Sequence, residues 1–108
     1  MSDGTKKYVV LCFFNVTPKW LSLKKPDRVA FRDRCFGPIF GAYRDRVRPR
    51  VLDTWAFTSK ATDILMFETT DICAYYELMD ELKNTELFAN GFIERSETIV
   101  SVEDGFLG

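Results

Sequence analysis

Two segments of this 108-residue chain carry large apolar side chains on both faces of an extended strand, and they constrain the fold most. In residues 6–16, one face holds tyrosine, valine, cysteine and phenylalanine, and the other holds valine, leucine and phenylalanine. In residues 63–69, isoleucine and methionine alternate with leucine and phenylalanine. A strand with two apolar faces must be covered on both sides, so both segments should be central strands of one sheet.

The remaining elements are predicted from residue spacing and from turn and cap residues. Segments 47–57 and 92–102 read as strands with mixed faces, and Pro49 suits an edge strand because it cannot donate a ladder hydrogen bond. Helical spacing predicts one helix after Pro26 and a second after an N-cap at Thr70-Asp71.

The connections are predicted from proline, glycine and polar residues. Gly37-Pro38 should kink or break the first helix, because proline removes a hydrogen bond and clashes with the preceding turn. Residues 17–25 should form a loop, and residues 58–62 should be a short hairpin connection. Asn90-Gly91 should end the second helical region in a left-handed conformation.

The resulting order, β-α-β-β-α-β, predicts an α+β fold: a ferredoxin-like two-layer sandwich with strand order 4-1-3-2 and two helices on one face. The length fits a single domain, residues 1–108. The face without helices would expose about five large apolar side chains, which is a large patch for a monomer. Two such sheets packed face to face about a two-fold axis would cover it, so we expect a homodimer resembling a dimeric α/β barrel.

The residue types that are absent or scarce exclude several classes of site. The chain has no histidine, which excludes a haem held by a proximal histidine and any nucleophile activated by histidine. Cys12, Cys35 and Cys73 are too widely spaced for a zinc site and are expected to be buried, reduced thiols. We expect no metal, no cofactor, no membrane-spanning segment and a cytoplasmic location.

Charge is distributed unevenly along the chain. Residues 24–50 hold nine basic and three acidic residues, whereas residues 51–108 hold three basic and twelve acidic residues. The basic block could bind nucleic acid, but no nucleic-acid-binding motif accompanies it. We therefore favour the alternative, in which this basic surface complements acidic surface elsewhere in the fold or on a partner subunit.

The hairpin of the second and third strands offers one candidate site. If Phe57 pairs with Ile64, Trp55 lies opposite Met66 and Asp53 lies opposite Glu68. Two facing carboxylates repel each other, so one pKa would rise and suit proton transfer. A one-residue change of register would separate the two acids, and a nearby arginine could instead neutralise them.

Trp20, Arg32 and Tyr43 form a second candidate cluster near the first helix. Arginine beside aromatic rings could hold an anionic or planar ligand. The alternative is that the aromatic rings are core and the Arg32 stem lies along the helix. Trp20, on the crossover after the first strand, should act as a lid that covers either solid core or the mouth of a cavity.

Several motifs together resemble the darcynin family of small bacterial proteins, over nearly the whole chain from Tyr8 to Phe106. The matching features are Thr17-Pro18-x-Trp20-Leu21-x-Leu23, Asp27-Arg28 with Ala30-Phe31, Gly37-Pro38-Ile39-Phe40, Phe67-Glu68-Thr69 before Tyr75-Tyr76, and Glu103-Asp104-Gly105-Phe106. The resemblance implies no reaction and no catalytic residues to transfer. At fold level the pattern is also similar to dimeric α/β-barrel proteins, which include cofactor-free monooxygenases and haem enzymes.

Three functions remain open at this point, and no residue pattern specifies a reaction. The first is a homodimer with a pocket for a small organic or anionic molecule between sheet and helices. The second is a non-catalytic interaction or structural dimer. The third, and least favoured, is a nucleic-acid binder that uses the basic block.

Overall fold

The computed structural model describes residues 6–103, which form one four-stranded sheet with helices on one face. The elements follow the predicted order, with one short helix before the first long helix and another after the second. They are β1 (Tyr8–Val16), α1 (Pro18–Leu21), α2 (Lys25–Tyr43), β2 (Val47–Asp53), β3 (Asp63–Thr69), α3 (Ile72–Leu82), α4 (Glu86–Ala89) and β4 (Ile93–Val102).

The sheet is antiparallel with the order β2-β3-β1-β4, which is the predicted order written from the other edge. The two segments with apolar side chains on both faces, β1 and β3, are the central strands. Val10 of β1 pairs with Phe67 of β3, and Cys12 pairs with Leu65. This topology confirms the predicted α+β ferredoxin-like fold. Strands β1 and β3 are central because each has two apolar faces, and both faces must be covered.

The hydrophobic core lies between the sheet and the helices. Alternate residues of the two central strands face the helices and are buried, and α3 covers them with Leu78 and Leu82. Asp71 caps α3 as predicted, because its side chain accepts a hydrogen bond from the Ala74 N–H at 3.2 Å. Gly91, at φ 71°, provides the predicted left-handed turn after α4.

Helix α2 continues through Pro38, so the expected break does not occur. Phe36, Ile39 and Phe40 lie on both sides of the proline, and all three pack against the core. Their packing keeps the helix continuous past Pro38, which cannot donate a backbone hydrogen bond. Tertiary contacts therefore outweigh the tendency of proline to break a helix.

Two predicted boundaries are wrong around the connections. Residues 18–21 form a helical turn rather than a loop, because the Thr17 side chain caps it by accepting the Trp20 N–H at 3.4 Å. Strand β2 ends at Asp53, four residues earlier than predicted, and residues 54–62 form a longer connection. Trp55 and Phe57 in that connection are 69% and 89% exposed.

The face of the sheet turned away from the helices is called the open face below. Its centre is apolar and consists of Val9, Leu11, Phe13, Leu52, Ile64, Met66 and Ile99. These side chains are only partly covered, because no helix of residues 6–103 lies on this side. The open face thus carries the exposed apolar patch that was predicted from the two apolar faces of β1 and β3.

The cysteine prediction needs one correction, since Cys12 and Cys35 are buried but Cys73 is exposed. Cys73 lies on the solvent-facing side of α3, where periodicity turns it away from the core. None of the helices in the described part of the chain is long and apolar enough to cross a membrane. Most of the Glu103-to-Phe106 motif lies outside the described residues.

Candidate functional site

A cavity of about 190 Å³ lies between the sheet and α2, at the end of the layer where β1 finishes. Eight of the ten residues that line it are apolar, and two carry opposite charges. The lining consists of Phe14, Val16, Trp20, Arg32, Phe36, Val51, Asp63, Leu65, Leu87 and Ile93.

Strand alternation and helix periodicity place the apolar walls. Phe14 and Leu65 point from the two central strands toward the helices, and Phe36 faces them from α2. Val51 contributes the wall on the edge strand β2, where its side chain is 51% exposed. Because Val51 is this exposed, the cavity opens to solvent beside the β2 edge.

Trp20 borders this cavity from the helical turn α1. Its ring packs against Phe92, with the ring centroids 5.5 Å apart, and Phe92 packs in turn against Phe31 at 5.0 Å. The Thr17 hydroxyl donates to the Gly91 carbonyl at 2.6 Å, which ties α1 to the start of β4. Trp20 is therefore held against the core at Phe92 and at the same time borders the cavity.

Arg32 and Asp63 are the two charged groups of the lining. Arg32 lies on the solvent side, with 55% of its side chain exposed and its Nε 3.6 Å from Asp33. Asp63 is partly buried, and its Oδ2 accepts a hydrogen bond from the Thr62 hydroxyl at 2.9 Å. The cavity thus offers a cation at its solvent side and a carboxyl group in its wall.

The pKa of Asp63 lies above its ordinary value. Burial is the main cause, because it disfavours the charged carboxylate, and the nearby negative charge of Asp53 adds to it. The hydrogen bond from Thr62 acts in the opposite direction. A carboxyl group with a raised pKa in an apolar wall can exchange a proton with a bound molecule.

The predicted pairing of Asp53 with Glu68 is wrong. Leu52, rather than Phe57, pairs with Ile64, so the register differs by five residues. The strand ends early because the Asp53 carboxylate accepts the N–H of Trp55 at 3.0 Å and closes a turn. A carboxylate pair nevertheless exists across this hairpin, since Asp53 lies opposite Asp63.

The structure places Glu68 and Trp55 away from the cavity. Glu68 lies opposite Arg48 on the open face, and its carboxylate is 3.1 Å from the Lys7 ammonium. Trp55 lies in the exposed connection between β2 and β3 and does not pair with Met66, whose partner on β2 is Arg50.

Tyr43 is also separate from the cavity, at the far end of α2. It lies eleven residues beyond Arg32, which is about 16 Å along the helix axis. Its hydroxyl donates to the Glu81 carboxylate, and the Arg46 guanidinium lies 4.8 Å from its ring. The hydrogen bond to Glu81 is the main reason that the pKa of Tyr43 is raised.

Sequence reasoning therefore placed Trp20 and Arg32 in one cluster, which the structure brings together, and missed Asp63. The signal for Asp63 was an acidic residue at the first position of an otherwise apolar central strand. Alternation along β3 places it on the same face as Leu65 and Phe67, but the sequence does not show that this end of the layer contains a cavity. Among residues 6–103, no group of histidine, cysteine, aspartate and glutamate side chains is arranged to hold a metal ion.

Comparison with protein families gives a match over almost the whole chain. A family model described as "Darcynin, domain of unknown function" matches residues 5–107. Darcynin 1 of Acinetobacter baumannii is 34% identical over 87 residues, which cover 81% of this chain and 96% of that protein. Darcynin of Chromobacterium violaceum is 39% identical over 69 residues, which cover 64% of this chain and 86% of that protein.

Comparison with solved structures shows the same fold in proteins of low sequence identity. A haem-binding protein from Thermus thermophilus superimposes with a TM-score of 0.80 at 15% identity, over 93% of this chain and 41% of that one. Chlorite dismutase from Candidatus Nitrospira defluvii, in complex with imidazole, gives 0.78 at 11% identity, over 91% and 40%. The chain spans about two fifths of the length of these solved chains.

Proposed function

The chain belongs to the darcynin family, and we propose that it binds a small, largely apolar molecule in the cavity between the sheet and α2. The observation that carries this proposal is the unfilled space itself. Protein interiors are normally packed to the density of organic crystals. A cavity with eight apolar walls and two charged groups is the usual form of a small-molecule site.

The volume of the cavity limits the size of its ligand. An apolar cavity of about 150 Å³ in another protein holds one benzene molecule. A cavity of about 190 Å³ therefore accommodates one aromatic or alicyclic ring with one or two small substituents. Phe14, Phe36 and Trp20 present aromatic surface to such a ring.

The two charged groups indicate which substituents the ring carries. Arg32 favours a carboxylate or a carbonyl oxygen near the solvent side, because guanidinium binds such oxygens with paired hydrogen bonds. Asp63 favours a hydroxyl or another donor deeper in the wall. We therefore propose a single-ring compound with an acidic or carbonyl group, and no defined reaction.

The haem of the T. thermophilus neighbour does not fit this cavity. Haem iron in proteins is held by histidine, cysteine, methionine or tyrosine. The chain contains no histidine, and none of the other three residue types lines the cavity. The similarity to the haem-binding protein supports the shared fold and does not extend to its ligand.

Self-association through the open face is the second part of the proposal. Leu11, Phe13 and Met66 occupy the centre of that face and are only partly covered. An exposed apolar patch of this extent usually marks an interface, and face-to-face packing of two sheets would cover it. A homodimer would thus enclose the open faces and leave both cavities on the outer layers.

The other two candidate functions have less support. A structural dimer without a ligand predicts a filled layer between sheet and helices, whereas this layer contains a cavity. Nucleic-acid binding is supported only by the charge of the basic block, which no nucleic-acid-binding motif accompanies, and two of its nine basic residues, Arg34 and Arg46, lie 2.9 Å and 3.6 Å from Glu86 and Glu77. These ion pairs agree with a basic surface that complements acidic residues within the fold.

We propose a cytoplasmic location on the basis of the unpaired cysteines. Cys12, Cys35 and Cys73 form no disulfide in the described part of the chain. Free thiols of this kind are typical of reducing compartments.

The two tryptophans allow a direct test of ligand binding. In a Trp55→Phe variant, Trp20 beside the cavity is the sole indole reporter. Titration with benzoate, salicylate or phenol should change its fluorescence in a saturable manner. The matched Trp20→Phe variant, which keeps the exposed Trp55, should show no saturable change. The proposal is wrong if no probe of this series saturates the Trp20 signal at millimolar concentration.

A further inference from the structure

A groove of about 400 Å³ lies between α3 and the edge strand β4, on the helix side of the sheet. It is lined by apolar and aromatic side chains together with three charged ones, namely Tyr75, Tyr76, Met79, Asp80, Lys83, Phe88 and Arg95. None of these residues lines the cavity beside Trp20. The Phe14 and Phe88 rings, whose centroids are 5.5 Å apart, separate the two spaces, since Phe14 lines the cavity and Phe88 lines the groove.

Arg95 reaches this groove because β4 contains a bulge. Glu97 lies opposite Phe13 on the open face. The next residue of β1, Phe14, lies opposite Arg95, so Ser96 is an extra residue in β4. In a regular strand Arg95 and Glu97 would project from the same face, but the bulge turns Arg95 toward the helices, where the Phe14 side chain also points. An irregularity of the backbone therefore directs a cation to the helix side of the sheet.

The positive charge of Arg95 is not compensated within residues 6–103. Arg95 forms no ion pair with a carboxylate of these residues. The acid in the groove lining, Asp80, is instead paired with Lys83, its carboxylate 2.9 Å from the ammonium. The groove thus presents an unpaired guanidinium beside apolar surface, and charge complementarity favours an anionic group at this point.

The charged and apolar groups lie at different ends of the groove. Helix α3 finishes at the end of the sheet where β4 starts, so Lys83 and Arg95 lie at the same end. Tyr76 lies seven residues before Lys83, which is about 10 Å along the helix axis, and its ring is 72% exposed. The groove therefore has a cationic end and an apolar end.

Tyr75 offers a neutral hydroxyl near the cationic end. The hydroxyl lies 3.4 Å from the Cys12 Sγ, and sulfur is a weak hydrogen-bond partner. Burial is the main cause that raises the pKa of Tyr75, the hydrogen bond with Cys12 adds to it, and the charge of Arg95 acts in the opposite direction. Because the hydroxyl keeps its proton at neutral pH, it can donate to an oxygen held by Arg95.

We propose that this groove binds a small amphipathic anion, an alkyl carboxylate, with its carboxylate at Arg95 and its alkyl chain along Met79 and Tyr76. Guanidinium holds a carboxylate with two parallel hydrogen bonds, which are stronger than those between neutral groups. The volume of the groove lies within the range of about 300–1,000 Å³ that is usual for small-molecule sites. This site is independent of ligand binding in the cavity beside Trp20.

Probes with one alkyl chain and different head groups test the proposal by NMR on the ¹⁵N-labelled chain. Hexanoate should shift the backbone amides of residues 76–83 and of Arg95 in a saturable manner. It should bind at least about tenfold more tightly than hexanol, because only hexanoate makes charge-assisted hydrogen bonds with Arg95. Hexylammonium should bind more weakly than hexanol, since its charge has the same sign as that of Arg95.

Arg95→Gln separates recognition of the anion from adsorption of the alkyl chain. It should weaken hexanoate binding about tenfold and change hexanol binding by less than about twofold, because only the charged contact is lost. Arg50→Gln, which removes an exposed arginine from the other edge strand, is the matched control and should leave both affinities unchanged. Circular dichroism checks that each variant is folded.

The alternative outcomes each overturn the proposal. Equal affinities for hexanoate and hexanol, or an unchanged hexanoate affinity in Arg95→Gln, would show that the groove does not recognise the anion. Hexanoate shifts confined to the Trp20 indole N–H and its neighbours would place the probe in the other cavity. Absence of saturable shifts in residues 76–83 would show that the groove is not a binding site for this class of molecule.

Discussion

The two ends of the layer between sheet and helices are packed differently. At the end where β1 begins, called the filled end here, Val10, Val47 and Phe67 are fully buried. The Phe67 ring centroid lies 6.1 Å from that of Phe40 and 5.5 Å from that of Tyr75, so aromatic rings fill the layer. At the end where β1 finishes, called the hollow end, a cavity of about 190 Å³ remains.

The difference follows from which elements cover each end. Long helices α2 and α3 place large side chains over the filled end. The hollow end is covered by the part of α2 that contributes Arg32 and Phe36 to the cavity lining, and by the single turns α1 and α4, which contribute Trp20 and Leu87. The filled end therefore accounts for stability, and the hollow end, which also contains Arg32 and Asp63, is where a ligand can bind.

The largest expected effect is at the centre of the filled end. Phe67→Ala should lower the free energy of unfolding by about 3–5 kcal/mol, because it removes a fully buried ring from a site that cannot collapse. Urea denaturation measures this loss. Phe57→Ala, which removes an exposed ring, should change the same quantity by less than about 0.5 kcal/mol. Equal losses for both variants would contradict the claim that the filled end carries the stability.

A matched pair of valines on β2 compares the two ends directly. Val47 and Val51 lie on the same face of one strand, but Val47 is fully buried and Val51 is 51% exposed at the cavity. Val47→Ala should cost about 2 kcal/mol of unfolding free energy. Val51→Ala should cost less than about 0.5 kcal/mol, because water already reaches its side chain. A Val51→Ala cost as large as that of Val47→Ala would mean that the hollow end is as tightly packed as the filled end.

The smallest effect concerns the acid in the hollow end. The folded state binds the Asp63 proton more tightly than the unfolded chain does, because the pKa of Asp63 is raised from 3.8 by burial. Its contribution to stability therefore falls as the pH rises through about 4 to the higher folded-state pKa, and stays lost at neutral pH. Asp63→Asn should raise the melting temperature at pH 7 and leave it unchanged at pH 3.

Asp53→Asn is the control for this last prediction. It removes the like charge that faces Asp63, and it also removes a carboxylate that accepts the Trp55 N–H. Its effect on the pH profile should be smaller than that of Asp63→Asn, since burial is the larger cause of the raised pKa. Thermal melts between pH 3 and pH 8 measure both variants, and a destabilised Asp63→Asn protein at pH 7 would refute the assignment.

Sequence reasoning succeeded where one physical requirement dominates. The apolar residues on both faces of β1 and β3 can be satisfied only in central positions, so the strand order followed from them. The cap at Asp71 and the turn at Gly91 were likewise predictable, since their chemistry is local. Trp20 and Arg32 were placed in one cluster because both belong to the crossover and the helix that follows β1.

The missed features depend on contacts between distant segments. The β2–β3 register was wrong because Asp53 closes a turn that competes with continued pairing, and period-two alternation alone does not set the length of that connection. Asp63 was missed because the cavity beside it is formed by side chains from α1, α2 and α4, which are distant in sequence. The continuous helix through Pro38 depends on aromatic residues that reach the core on both sides of it.

By itself, the sequence of this chain determined the class of fold, the central strands and an uncovered apolar face, because apolar side chains must be covered wherever they occur. Only the tertiary structure decided that Trp20 borders a cavity. Whether a space between two elements is filled depends on the summed volumes of side chains from α1, α2, α4 and the strands. These side chains come together only in the complete fold, which sets the strand register, the length of each helix and the depth of every side chain.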